Sequence, residues 1–337
     1  MAGEAIGIGV IGVGGMGGRH ALNLATHVTA CRVRAVMDMD RDRAGEIASA
    51  CGDARAVTDA MDLFGDPAVE AVIIASPDPT HPDLALACLE VKKPVLCEKP
   101  LAPTTDAAEP VIQAEVALGR RLIQLGFMRV FDPAHLAVKQ AIDNGEIGRP
   151  LMFKGVHVNT HPVTRTLADV VSNSAVHDIH TVRWLMGEEV ATVYTRHLPS
   201  AAGGDSCRLF HASLTLVSGR LATIEVNADA RYGYEVSVEL VGETGTVRSP
   251  SLASAVVRHD GAARRAVESD WLERFERAYV EEVQAWVASI VSGQPNGPTA
   301  WDGYAALAVA DACFRSARTG VPEPVTGMDR PALYDRT

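Results

Sequence analysis

Ile6-Gly7-Ile8-Gly9-Val10-Ile11-Gly12-Val13-Gly14-Gly15-Met16-Gly17 decides the fold. An apolar run of strand length ends in Gly-x-Gly-x-x-Gly, and the helical pattern begins with the last of these glycines. Glycine is required at such a turn for three reasons: the dihedrals are unusual, the backbone must approach a pyrophosphate closely, and the amides of the helix N-terminus form the anion site. Strand before and helix after raise a common pattern to a dinucleotide-binding expectation, with Gly12, Gly14, Gly15, Met16 and Gly17 as its contacts. Asp38 lies 21 residues beyond Gly17, at the end of the second apolar run. A carboxylate there accepts from a ribose 2′-hydroxyl and repels a 2′-phosphate, which favours NAD over NADP. Arg41 and Arg43 keep a 2′-phosphate reading open, or are solvated residues of the next helix.

Outward from this turn, apolar runs alternate with helical patterns as far as residue 127, the mark of a parallel sheet with crossover helices. Strands are predicted at 6–11, 33–37, 54–57, 71–75, 94–97 and 122–125. A helix over 134–145 stops at Asn144-Gly145, and the pattern changes after Pro150. From there alternating runs at 151–158, 190–197, 208–216, 221–227, 236–240 and 246–248, joined by glycine turns, predict a mainly antiparallel sheet with a helix over 174–186 on one face. Helical patterns at about 270–292 and 299–318 close the chain. The expected fold is an α/β Rossmann domain, residues 1–127, followed by an α+β domain with an open, mainly antiparallel sheet, residues 128–337.

Composition narrows the partners. The chain has 337 residues, 31 Lys and Arg against 42 Asp and Glu, and a net charge of −11, with no basic run to track a phosphate backbone. No apolar stretch reaches the eighteen or more residues of a membrane span, and no targeting segment precedes the first strand. The six cysteines form no C-x-x-C pair and most lie in apolar runs. A cytoplasmic protein without nucleic-acid or membrane partners is expected.

Chemistry is sought at the carboxyl edge of the first sheet, where open α/β sheets bind ligands. Ser76-Pro77, followed by His81, leaves the fourth strand there, and Glu98-Lys99-Pro100 leaves the fifth, with Pro100 biasing Lys99 toward an extended conformation. In the second half, Asn173, His177, His180 and Trp184 share one face of a helix at 100° per residue, while Ala175, Ile179, Val182 and Met186 share the other. The first face is expected to offer polar groups to a cavity. His157, His161, His177 and His180 lack the spacing of a zinc hydrolase, and no metal is expected. Neither G-x-S-x-G nor a cysteine beside a base is present.

Together these residues resemble the Gfo/Idh/MocA oxidoreductase family, and within it the inositol 2-dehydrogenase branch. The resemblance runs over nearly the whole chain: the glycine turn, Ser76-Pro77 with His81, Glu98-Lys99-Pro100, Gly126 to Pro133, His157-Val158-Asn159, the His177 helix, Tyr232-Gly233-Tyr234-Glu235 and Val241-Gly242-Glu243-Thr244-Gly245. It implies a sheet domain that mediates dimer or tetramer contacts, Lys99 and His177 as the catalytic pair, and Glu98 and Lys99 beside the cofactor. It further implies oxidation of a secondary ring hydroxyl of a cyclitol or pyranose sugar, with Asn173, His157, Asn159, Arg129 and Tyr234 orienting the hydroxyls. Inositol dehydrogenases carry an aspartate where this chain has Asn173. An amide offers a hydrogen bond without the charge that raises imidazole basicity, so His177 is expected to titrate lower than in those enzymes. Two other readings remain at this point. One is an oxidoreductase for a phosphorylated, nucleotide-linked or antibiotic-pathway sugar, for which Arg165 is the one candidate anion contact. The other is a dinucleotide-binding sensor without catalysis.

Overall fold

The computed structural model describes residues 5–52, 54–160, 165–200, 203, 205–249 and 256–335. It divides into two compact units. The first comprises residues 1–128, 277–305 and 328–337; the second comprises 129–276 and 306–327. Both are therefore discontinuous in sequence, unlike a single cut after residue 127.

In the first unit the strands are β1 (Ile6–Ile11), β2 (Cys31–Met37), β3 (Arg55–Val57), β4 (Ala71–Ile74), β5 (Val95–Glu98) and β6 (Ile123–Gly126). Five helices intervene: α1 (Gly15–Thr26), α2 (Arg41–Ala50), α3 (Met61–Phe64), α4 (His81–Glu90) and α5 (Thr105–Leu118). The strands form one parallel sheet in the order β3-β2-β1-β4-β5-β6. Every residue of β1, β4, β5 and β6 is buried, which is why those segments read as unbroken runs rather than alternations. The order reverses direction between β1 and β4, and the loops after these two strands flank the switch point where doubly wound sheets bind ligands. The part of α9 (Trp271–Ser292) that belongs to this unit adds Val283, Trp286 and Val287 to the core around β1, α1 and β2.

In the second unit the remaining strands are β7 (Pro150–Val158), β8 (Val190–Leu198), β9 (Leu209–Leu216), β10 (Leu221–Asn227), β11 (Glu235–Gly242), β12 (Thr246–Arg248), β13 (Val256–His259), β14 (Ala262–Arg265) and β15 (Glu323–Pro324). Its helices are α6 (Pro133–Asp143), α7 (Leu167–Val170) and α8 (Val176–Met186), while α10 (Ala300–Thr319) begins in the first unit and ends in this one. Seven strands form a sheet in the order β12-β11-β7-β10-β9-β8-β15, and β13 pairs with β14 as a separate ribbon. All neighbours in the large sheet are antiparallel except β7 and β10. The expected fold class is borne out.

The helix expected over 174–186 starts differently. Val171–Ala175 is a π-helical turn, and the regular helix begins only at Val176. Every residue of α8 except Trp184 is buried. The expectation that Asn173 and His177 lie in one row of a regular helix is corrected on a physical ground. A π turn rotates by less than 100° per residue and displaces Asn173, which is exposed, from the row of the buried His177.

Candidate active site

The nucleotide end of the first unit is built from backbone. Gly12 has φ +78°, and a Cβ there would come within 2.6 Å of the Ser76 backbone. A Cβ on Gly17 would fall 1.7 Å from the Gly12 carbonyl oxygen, so the first turn of α1 can lie against the strand end only as glycine. Gly14 and Gly15 differ: a Cβ on either meets nothing within 4 Å. Their exposed amides open α1 with Gly14 as N-cap and no side-chain cap, an arrangement that fits a pyrophosphate. Met16 follows them, partly exposed.

Asp38 ends beside this turn. Its Oδ2 accepts the Val13 amide at 3.0 Å, and its Oδ1 accepts the Asp40 amide at 3.0 Å. Arg43 lies 3.3 Å from Oδ1 and also pairs with Asp40. The guanidinium is thus held by carboxylates, and the charge balance at this point is acidic. A ribose with two free hydroxyls fits it.

The loops after β4 and β5 are tied together by His81. Its Nδ1 lies 2.7 Å from the Pro100 carbonyl oxygen and its Nε2 lies 2.8 Å from that of Ser76. His81 is buried, and both ring nitrogens face backbone, which describes a fastener of the two loops. Ser76 Oγ pairs with Thr80 Oγ1 at 2.6 Å, while Pro77 is exposed. Glu98 is buried; its Oε1 lies 2.7 Å from His20 Nε2 and its Oε2 accepts the Lys99 amide at 3.2 Å. Burial opposes ionisation of Glu98, but the His20 hydrogen bond and charge, and then Lys99, hold its carboxyl below the ordinary value. Lys99 follows, partly exposed, at the carboxyl end of the strand. A cavity of about 230 Å³ lined by Pro94, Leu122, Gln124 and Trp286 lies at the opposite, amino-terminal edge of this sheet and is no part of the site.

In the second unit, Arg129, His157 and Tyr234 come together around a residue that spacing did not single out. Asp178 accepts from Arg129 Nη1 at 2.6 Å and lies 2.9 Å from His157 Nδ1. Tyr234 Oη lies 3.2 Å from His157 Nε2. Arg129 Nη2 is also 3.1 Å from His157 Nδ1, but one nitrogen cannot serve both neighbours; the nearer, charged Asp178 takes its N–H. Burial pushes the Tyr234 hydroxyl above its ordinary range and keeps it protonated, leaving it to donate to Nε2. All four side chains are buried. Asn159 Nδ2 donates to Ser174 Oγ at 3.0 Å, and the exposed Asn173 donates to the Asp169 carbonyl at 3.1 Å. His177 is buried in the first turn of α8, directly before Asp178. Asp132 is structural as well: it caps α6 through the His135 amide and receives both terminal nitrogens of Arg274, at 2.8 and 3.1 Å. His161, weighed above as a metal ligand, lies outside the described residues.

Comparison with known proteins adds four findings. The Gfo/Idh/MocA model described as an oxidoreductase family with an NAD-binding Rossmann fold matches residues 6–127, and that of its C-terminal alpha/beta domain matches 139–326. An inositol 2-dehydrogenase of Rubrobacter xylanophilus is 49% identical over 99% of this chain and 97% of its own length. The structure of myo-inositol dehydrogenase from Lactobacillus casei in complex with NAD(H) and myo-inositol superposes with a TM-score of 0.93 at 31% identity, covering 98% of this chain and 99% of that one. That of scyllo-inositol dehydrogenase from the same organism, with NAD(H) and scyllo-inositol bound, gives 0.87 at 26% identity over 95% and 99%.

Proposed function

This chain belongs to the Gfo/Idh/MocA family of oxidoreductases, and we propose that it is an NAD-dependent dehydrogenase that converts a secondary ring hydroxyl of a cyclitol, myo-inositol first, to the ketone. The observation that carries this reading is the likeness, over nearly the full length of both chains, to an enzyme crystallised with NAD(H) and myo-inositol. An oxidoreductase for charged or nucleotide-linked sugars is not favoured by it.

NAD supplies the hydride acceptor. The chain's residues do the rest: Gly14 and Gly15 amides hold the pyrophosphate, Asp38 holds the ribose, and Ser76, Pro77, Glu98 and Lys99 border the nicotinamide half. His177 takes the hydroxyl proton as hydride leaves the same carbon, and the C–O bond becomes a carbonyl. Lys99 donates a hydrogen bond to the developing alkoxide, where a fixed cation is worth most. Asn173 and Asn159 orient the other hydroxyls, and Arg129, His157 and Tyr234 act through the network that they form with Asp178.

No described helix is long and apolar enough to cross a membrane, and the six cysteines are unpaired, which supports a cytoplasmic enzyme. Alternate residues of β9 and β10 are buried while the others are half-buried or exposed, which leaves one face of the second-unit sheet open for a homo-oligomer, dimer or tetramer. Light scattering checks the latter.

The test is direct. Purified protein with NAD is expected to generate reduced nicotinamide absorbance with myo-inositol or scyllo-inositol. Lys99→Met and His177→Ala are each expected to lose roughly 10²- to 10⁴-fold in kcat while still binding NAD. Full activity in either variant would overturn the assigned roles.

A further inference from the structure

Behind the Glu98-Lys99 peptide, three side chains from distant parts of the chain meet inside the first unit. His20 comes from α1, Glu98 from the end of β5 and Glu282 from α9; all are buried, with donor atoms within 4.8 Å of one another. The Tyr279 ring, on α9 as well, stands edge-on to His20 with centroids 6.1 Å apart. Gly126 on β6 leaves room for the Glu98 carboxylate, since a Cβ there would come 3.0 Å from Oε2.

Glu282 is 0% exposed, and neither of its oxygens has a hydrogen-bond partner. An ionised carboxylate buried in that way costs several kcal/mol, and such a group takes up a proton instead. Burial, and after it the Glu98 charge, holds the Glu282 carboxyl well above the usual range. Glu98, with His20 and Lys99 around it, moves the other way. Two neighbouring carboxyls whose surroundings drive them apart settle as one acid and one anion. The acid is then a hydrogen-bond donor, with the Glu98 carboxylate and the His20 ring beside it.

We propose that Glu282 is a positioning residue for Lys99: a neutral carboxylic acid that, opposite His20, fixes the Glu98 carboxylate whose Oε2 receives the Lys99 amide. The proposal rests on the reading of Lys99 as the alkoxide's hydrogen-bond donor. A divalent cation bound by the same three side chains would instead require Glu282 to be an anion.

Infrared difference spectra between the wild-type and Glu282→Gln proteins, taken without substrate at neutral pH, are expected to show a protonated carboxyl stretch that the variant loses. Absence of that band, or stoichiometric metal in the purified wild type by elemental analysis, overturns the neutral acid. Turnover reads the link to Lys99. Glu282→Leu keeps bulk without a donor and is expected to lower kcat roughly 10- to 100-fold with little change in KM for NAD. Glu282→Gln, which keeps a neutral donor, is expected to recover most of that loss. A Leu variant with wild-type kcat, or a Gln variant as impaired as Leu, overturns the positioning role. Wild-type protein inert toward NAD with every inositol overturns the dehydrogenase reading and the positioning role with it, while the infrared band still decides the protonation of Glu282.

Discussion

Arg129 and Asp178 form an ion pair at 2.6 Å in which the side chains are 1% and 0% exposed. Removing the charge of one partner leaves the other buried without compensation, which is far costlier than losing a surface pair. Asp178→Asn is therefore expected to destabilise the protein by about 3 to 5 kcal/mol in urea unfolding. A loss of only a few tenths would mean that the pair is solvated in solution.

The same carboxylate gives an acid limit to stability. Burial opposes its ionisation, but Arg129 and then His157 lower it from 3.8 to about 2. A depressed carboxyl contributes stability that is complete above its unfolded value and disappears as pH falls through the folded one, so the contribution, about 2 kcal/mol, is lost between roughly pH 5 and pH 2. Unfolding midpoints measured across that window are expected to fall less steeply in Asp178→Asn than in the wild type.

Much of this network was invisible to residue type. Arg129, His157 and Tyr234 are legible as polar groups with a purpose, but whether such groups face a substrate or one another depends on the meeting of β7, β11 and α8, which pairing decides and local pattern does not. Asp178, beside His177 in sequence, carried no signal of its own. The first sheet was legible because a parallel strand buried on both faces is an unbroken apolar run, and β1 and β10 begin and end where their runs do. The amphipathic pattern of α9 shows that one face is buried and not which unit buries it, so the return of residues 277–305 to the first unit could not be read. The β13–β14 ribbon was missed because Val256 and Val257 are exposed and bury no alternating face.

The glycine turn separates packing from binding. A Cβ on Gly17 would strike the Gly12 carbonyl oxygen, whereas one on Gly14 meets no protein atom, and Gly14 already has φ −68°. Gly17→Ala is expected to cost roughly 3 kcal/mol of stability. Gly14→Ala is expected to melt within about 0.5 kcal/mol of the wild type and to weaken NAD roughly tenfold by crowding the pyrophosphate. Calorimetric titration and thermal melts on the two variants decide it; the reverse ranking would misplace the phosphate.

Asp38 is oriented by the Val13 amide and neutralised in part by Arg43. Asp38→Asn keeps an acceptor for that amide, removes the charge, and leaves Arg43 with one carboxylate fewer. The ratio of NADP to NAD affinity is expected to rise roughly 10- to 100-fold, since repulsion of a 2′-phosphate goes and a cation is released toward it. An unchanged ratio would place the ribose elsewhere.

Asn173 occupies the π-helical turn before His177 and spends its amide on the Asp169 carbonyl. Asn173→Asp puts a carboxylate in the place of this amide. A base must be neutral to accept a proton, and a nearby carboxylate favours imidazolium. The acid limb of kcat/KM is therefore expected to move to higher pH. The lost donor to Asp169 costs about 1 kcal/mol of stability, which thermal melts register separately. If the limb stays in place while the melt shifts, residue 173 serves the turn alone, and the basicity of His177 is set by groups on α8 and its own core.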